Sequence, residues 1–390
     1  MSVTAAAGFS AGSVSAGLKA SGGLDLTVVV NEGPLDHAAA VYTSNRAKAH
    51  PIMWSSQAMI SHRARAIVLN SGGANCFTGP QGFQLTHATA EKAASLLDNA
   101  GAADIQVCST GLIGEELPAG AVLAGVEAAM AHREGGERAG GDAARAIMTT
   151  DSQPKMAQVS FTFPQGTVTI GAMAKGAGML APGLATMLVV ITTDAVVESS
   201  ELDTALRQAT QLTFDRLDSD GCMSTNDQVT LMASGASGIT PPIPVFREGV
   251  LAVCQDLAAQ LLADAEGSSH DITIEVVSAA SEEDALAVGR AGARSTLFKA
   301  AIFGRGPNWG RVLAAIGTVD VAGDVYAIDV SINGVRVCHA GGGDRPRSEV
   351  DLSPRATHVL IDLAAGRESA TIWTNDLTHD YVHENSAYSS

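Results

Sequence analysis

Apolar positions along this chain follow two rhythms. Short β-branched runs have the length of buried strands, and longer stretches repeat apolar residues at helical spacing. Leu24–Val30, Ala38–Thr43 and Ala64–Leu69 are predicted strands, separated by Gly, Pro, Asn and Ser. Residues 1–23 are small and polar and are expected to form an irregular lead-in. The loop Asn70–Asn75 precedes a helix over Phe83–Asn99 that ends at Asn99-Ala100-Gly101. Strand Ile105–Cys108 runs into Ser109-Thr110-Gly111, with helices expected over Ala119–His132 and Asp142–Met148. Strands follow at Ala157–Phe163 and Thr167–Met173.

The middle of the chain joins two opposite kinds of sequence. Residues 174–183 are rich in glycine, with one lysine and one proline, and read as a loop closely approached by something else. From Thr186 the chain becomes apolar, and residues 187–193 read as a buried strand. A helix capped by Ser199 or Ser200 runs to Phe214. Next come a loop over 218–227, strand Gln228–Met232 and a periodic helix over 248–263. Strand 271–278, helix 281–293, strand 297–303 and a helix beyond Arg311 follow, and from 318 strands alternate with turns. Asn333-Gly334 between two β-branched runs predicts a two-residue hairpin. Strands and helices mix without strict βαβ order, so the expected fold is a layered α/β sandwich and not a barrel.

Composition narrows the function. With 390 residues, two lobes or one large α/β domain are both reasonable, and 46% hydrophobic against 17% charged residues describes a well-buried protein. Lys+Arg 24 against Asp+Glu 41 gives a net charge of -17, which argues against nucleic acid or an anionic membrane as partner and weakly favours a cationic substrate. The five cysteines are scattered without metal-ligand spacing, so a reduced, cytoplasmic setting is expected. No signal peptide is read at the N-terminus, and no apolar run has membrane-spanning length.

Most chemical motifs fail. Gly176-Ala177-Gly178 lacks the third glycine of a dinucleotide fingerprint and precedes a strand, and Lys175 stands on the wrong side of the glycines for a phosphate loop. The histidines form no HExxH or His/Cys cluster, the aspartates of 215–227 lack calcium-loop spacing, and no Gly-x-Ser-x-Gly elbow is present. No metal or cofactor is therefore expected. Threonine nucleophilicity remains. A cut between Ala185 and Thr186 would free an α-amine that titrates near pH ~8, one side chain away from a rigidly held hydroxyl. The plain alternative is a threonine that opens a strand, as threonines often do. Ser109-Thr110-Gly111 offers a hydroxyl and a glycine N–H for an oxyanion hole, or else an ordinary strand–turn–helix connection.

Eight segments, taken together and in order, resemble the glutamate N-acetyltransferases, also called ornithine acetyltransferases. They are 108–114 (CSTGLIG), 146–151 (AIMTTD), 174–179 (AKGAGM), 184–188 (LATML), 224–227 (STND), 265–267 (AEG), 307–311 (PNWGR) and 381–390. The resemblance implies a sandwich of the ornithine acetyltransferase type with N-terminal-nucleophile chemistry. It implies self-cleavage between Ala185 and Thr186 into an α chain, 1–185, and a β chain, 186–390, assembled as α2β2. It further implies that Thr186 takes the acetyl group from N2-acetyl-ornithine and passes it to glutamate in a ping-pong cycle of arginine biosynthesis, with acetyl-CoA a possible second donor. Thr110 and Gly111 would form the oxyanion hole. Thr149, Lys175, Thr186, Glu266, Asn385 and Ser390 would bind substrate. Three positions depart from the family pattern: Gly306 stands for an aspartate, Ala265 for a glycine and His270 for a lysine. The competing enzyme is a self-cleaving amidase or aminopeptidase that hands the acyl group to water. Outside enzymes, the competitor is an amino-acid-binding protein with a dead site.

Overall fold

The computed structural model describes residues 2–181 and 187–387. Two sheets face each other, and helices cover both outer sides. The first sheet holds strands Phe9–Val14, Leu26–Asn31, Ala66–Ser71 and Ile105–Thr110, in that order across the sheet. The second has the order His37–Tyr42, Gln228–Ala233, Leu188–Thr193, Gly166–Lys175, Lys155–Phe163.

Alternation along the strands sorts side chains into layers. In the second sheet, Leu188 and Val190 join Val29, Ile67 and Leu69 of the first sheet in a shared core. Val189 and Ile191 point the other way, onto the helices Ser199–Leu212 and Ile243–Ala263. In the first sheet, Val28, Val30 and Val68 pack outward against helices Gly79–Ala94 and Ala119–Ala131. The result is a helix–sheet–sheet–helix sandwich, as the mixed pattern predicted. The core between the sheets mixes small residues such as Ala38 and Ala40 with Val and Leu.

A third, six-stranded sheet is formed by the C-terminal part of the chain, built on strands Asp271–Ala279, Ala356–Asp362 and Glu368–Asn375. Helices Glu282–Ala293, Thr296–Phe303 and Trp309–Ile316 pack on it through Val288, Phe298, Ile302 and Val312. The hairpin at Asn333-Gly334 is present, with both residues at positive φ, 46° and 79°, as its two-residue turn requires.

Several expectations need correction. Residues 297–303 are not a strand but the helix Thr296–Phe303. Ser295 caps it by accepting the Phe298 N–H, and Phe298, Ala301 and Ile302 supply a buried stripe at helical spacing. A short apolar run cannot by itself distinguish the two periods. The lead-in is not wholly irregular, since Phe9–Val14 pairs antiparallel with Leu26–Asn31. The helix placed at 142–148 spans Glu137–Ala146, and the one placed at 248–263 begins at Ile243. Helices His50–Ala58 and His379–Ala387 carry too weak an apolar stripe to have been anticipated.

Candidate functional site

The site lies where the two facing sheets end on the same side. Strand Ile105–Thr110 finishes at Thr110, and strand Gly166–Lys175 finishes at Lys175. Strands Leu188–Thr193 and Gln228–Ala233 both begin there, with Lys175 opposite Leu188 and Leu188 opposite Gln228. Termini of four strands from two sheets therefore meet at one edge. That is why residues so distant in sequence converge.

Lys175 is the centre of the arrangement. It is 1% exposed, and its Nζ donates to Thr149 Oγ1 at 2.7 Å and to Thr110 Oγ1 at 3.4 Å. Asp151 Oδ2 stands 3.9 Å from the same nitrogen. Burial pulls the ammonium pKa down from its ordinary value, and Asp151 opposes that shift. Asp151 is in turn gripped on several sides. It accepts from Lys155 Nζ at 2.6 Å, the Gly176 N–H at 2.6 Å and the Thr149 N–H at 3.0 Å. Burial alone would raise its pKa, but Lys175, Lys155 and the Gly176 N–H outweigh it and bring the carboxyl to about 2. Lys155 also pairs with Asp264 Oδ2 at 2.5 Å, so one buried ammonium ties the Asp151 turn to the segment that carries Glu266.

Thr110 and Gly111 are held from behind. The Thr110 carbonyl accepts the Gly72 and Gly73 N–H groups, both at 3.0 Å, and Asn226 Nδ2 donates to the Ser109 and Ala74 carbonyls at 2.8 and 2.6 Å. Gly111 has φ +130°, and a Cβ there would lie 2.6 Å from the Gly73 nitrogen and 2.7 Å from the Gly72 carbonyl carbon. Both obstacles are backbone, so no side chain fits. Gly111→Ala is expected to cost about 1–3 kcal/mol of stability and to depress any chemistry that uses its N–H. A thermal melt beside an activity assay checks this, and unchanged values in both would sink it.

Glu266 and Asn385 meet on the far wall, where Asn385 Nδ2 donates to Glu266 Oε2 at 3.0 Å. With Thr150 they line an open cavity of about 350 Å³. The Glu266 N–H donates to the Ala177 carbonyl at 3.0 Å, and a Cβ on Gly178 would sit 2.6 Å from the Glu266 carboxylate, so the glycine-rich loop passes tightly over that carboxylate. Gly267, at φ +59°, lets the backbone of helix His379–Ala387 approach closely.

Thr110, Gly111, Thr149, Lys175, Glu266 and Asn385 are thus all placed around this edge. Ala185, Thr186 and Ser390 lie outside the described residues. The neighbours of Thr186 in sequence are informative nonetheless. Met187 donates its N–H to Asp227 Oδ1 at 2.9 Å, and burial holds the Asp227 carboxyl far above its ordinary pKa. Asp151, Lys155, Asn226 and Asp227 were not singled out one by one. Asp151, Asn226 and Asp227 fall in segments that carry the family resemblance, and polar residues at the strand ends of an otherwise apolar sandwich are the signal that marks them. Of the three departures, Ala265 is buried in the helical core. His270 bridges Asp376 Oδ2 at 2.8 Å and the Leu352 carbonyl at 3.0 Å. The Gly306 N–H donates to the Ala301 carbonyl at 2.7 Å.

Fold and site together define a layered α/β protein with a buried ammonium bonded to two threonine hydroxyls, beside a carboxylate that lines a small open cavity. The chain belongs to the ArgJ family, whose family model matches residues 10–390. It is similar to the arginine biosynthesis bifunctional protein ArgJ of Streptomyces coelicolor, 59% identical over 390 residues and covering 100% of both chains. The protein of that name from Thermobifida fusca is 57% identical over 391 residues, again with full coverage of both. Among solved structures, ornithine acetyltransferase from Mycobacterium tuberculosis, complexed with ornithine, is 52% identical, with a TM-score of 0.44, covering 46% of this chain and 94% of that one.

Proposed function

We propose that the protein transfers acetyl from N2-acetyl-L-ornithine to L-glutamate, giving ornithine and N-acetylglutamate in arginine biosynthesis. The observation that carries this reading is the family match from residue 10 to 390, with relatives named as bifunctional enzymes of arginine biosynthesis at 59% identity. The convergence of Thr110, Thr149 and Lys175 on one buried point supports it chemically.

In this mechanism the chain cuts itself between Ala185 and Thr186, and the freed amine serves as base for the Thr186 hydroxyl. The hydroxyl attacks the acetyl carbonyl of acetylornithine, and the Thr110 hydroxyl and Gly111 N–H stabilise the oxyanion. Lys175, through its hydroxyl partners, carries positive charge to the same point. Ornithine leaves with the proton, and the glutamate amine then attacks the acetyl-threonine ester. Glu266 suits the ornithine ammonium, while Lys175 and Thr149 suit the substrate α-carboxylate. Asn385, beside Glu266, contacts substrate from the C-terminal helix, and the family resemblance gives Ser390 a part in binding as well.

The two chains, 1–185 and 186–390, remain together as α2β2 in the cytoplasm, with no cofactor. Among the described residues no helix is long and apolar enough to cross a membrane. Mass spectrometry of protein mixed with acetylornithine and quenched in acid tests the scheme. Two fragments are expected, with one added acetyl group on the fragment that begins at Thr186. Addition of glutamate should remove it as N-acetylglutamate. Release as free acetate at the same rate without glutamate would assign the chain to the hydrolases instead.

A further inference from the structure

The C-terminal half carries a groove that the transfer chemistry does not use. It has a volume of about 750 Å³ and lies between helices Glu282–Ala293 and Trp309–Ile316. Three arginines line it, Arg290, Arg294 and Arg311, and no aspartate or glutamate does. In a chain of net charge -17 such a lining is a local reversal of sign, tempered from behind by Asp218, which pairs with Arg294, and by Asp215 near Arg290. The Nε of Arg290 is buried with no hydrogen-bond partner among the described residues, a donor left unpaired at a cost that a bound acceptor would relieve. Arg294 spends its Nε on Asp218, and Arg311 one terminal nitrogen on the Leu297 carbonyl, so each keeps further donors. The groove also receives the N-terminus of helix Trp309–Ile316, where the Asn308 side chain caps no N–H.

The groove connects to the site. Arg294 also lines a second cavity, of about 260 Å³, together with Thr296, Lys299, Tyr381 and Glu266. Glu266 in turn lines the cavity it shares with Thr150 and Asn385. Three cavities that share first Arg294 and then Glu266 thus stand between a basic end and the reacting edge, the middle one of mixed sign. A compact amino acid needs only the last part.

We propose that the arginine groove binds the phosphate-bearing end of an acyl thioester, such as acetyl-coenzyme A, with its uncharged arm lying past Arg294 towards Glu266. This rests on the transfer reading above and adds the residues that take a second donor. In the step it serves, the acetyl carbon–sulfur bond breaks and a bond to the Thr186 hydroxyl oxygen forms. The hydroxyl proton goes to the departing thiolate. The glutamate amine then takes the acetyl group and returns a proton to the threonine oxygen.

Steady-state acetylation of glutamate with each donor tests this, in the wild type, Arg290→Gln, Arg311→Gln and, as a charge-matched control on the exposed face of another helix, Arg138→Gln. Both groove variants should raise KM for acetyl-coenzyme A roughly tenfold with kcat unchanged, and the control should not. Transfer from acetylornithine should stay at the wild-type rate in all three, which also shows that the variants fold. Binding of adenosine 3′,5′-bisphosphate by calorimetry reads the groove without catalysis. It should weaken by a similar factor in Arg311→Gln and with added salt. Wild-type protein that transfers from acetylornithine but not from the thioester overturns the proposal. So does bisphosphate binding that is absent, or equal in wild type and Arg311→Gln. Absent transfer from acetylornithine would instead count against the proposed function, and the calorimetry still decides the groove.

Discussion

Thr186→Ala is expected to leave a single uncut chain of full mass and to reduce acetyl transfer by on the order of 10⁴-fold or more, as deletion of a covalent nucleophile does. The expectation follows from what surrounds the position. Lys175 ends one strand and Leu188 begins the next, directly opposite it at the site's edge. Met187 is then fixed by Asp227 and by the Gln228 N–H, which donates to its carbonyl at 3.3 Å. The residue bonded to the proposed nucleophile is thereby already held in place. Thr186→Ser keeps a hydroxyl and should both cut and transfer, more slowly. In the processed enzyme the base is an α-amine, so the acylation rate should rise with pH towards ~8 as that amine loses its proton. Electrophoresis under denaturing conditions and a donor-consumption assay read both effects. A cut Thr186→Ala chain, or transfer within tenfold of wild type, would remove Thr186 from its role.

Lys155→Met should be nearly as damaging, although the Lys155 ammonium is directed to Asp151 and Asp264 and has no proposed contact with substrate. Its ammonium is 1% exposed and satisfies both Asp151 and Asp264. Removing one partner of such a buried network leaves uncompensated charge and costs about 3–5 kcal/mol. The pH dependence separates this from a general loss of packing. Asp151 has its folded-state carboxyl held at about 2, below the ordinary value of 3.8. It therefore contributes stability above pH 3.8 that is lost as pH falls from there towards 2. Without Lys155 the folded value moves up, so acid unfolding should begin at a higher pH. Lys155→Met should also raise KM for acetylornithine, because the turn that positions Thr149 and Lys175 and the segment before Glu266 lose their common tether. An acid-unfolding curve identical to wild type would refute the assignment.

Several features of this molecule were legible in its residues. The continuous β-branched runs Leu188–Thr193 and Leu26–Asn31 dictate strands buried on both faces, and such strands in one chain force a layered sandwich. Asn333-Gly334 dictates its own hairpin through local dihedral preference. Lys175 beside glycines and Thr186 at a strand mouth already marked the central segment. Residues 297–303 show the limit, because seven residues of mixed apolar character satisfy either period until Ser295 caps a helix.

The sequence determined which stretch is central, since glycine, lysine and threonine at a loop-to-strand junction have local chemical meaning. Tertiary structure alone decided what that stretch faces. Thr110, Thr149, Lys175, Asp227 and Glu266 are brought to one edge by the ends of strands in two sheets and by the end of a helix, and no local rule specifies that meeting. The reversal of charge at Arg290, Arg294 and Arg311 is equally invisible in the chain. Its overall sum is strongly negative, and only the packing of helix Glu282–Ala293 beside helix Trp309–Ile316 gathers the three arginines into one groove. Local propensities act over a few residues, whereas a binding site is a sum of contacts between segments that only a closed core holds at fixed distances.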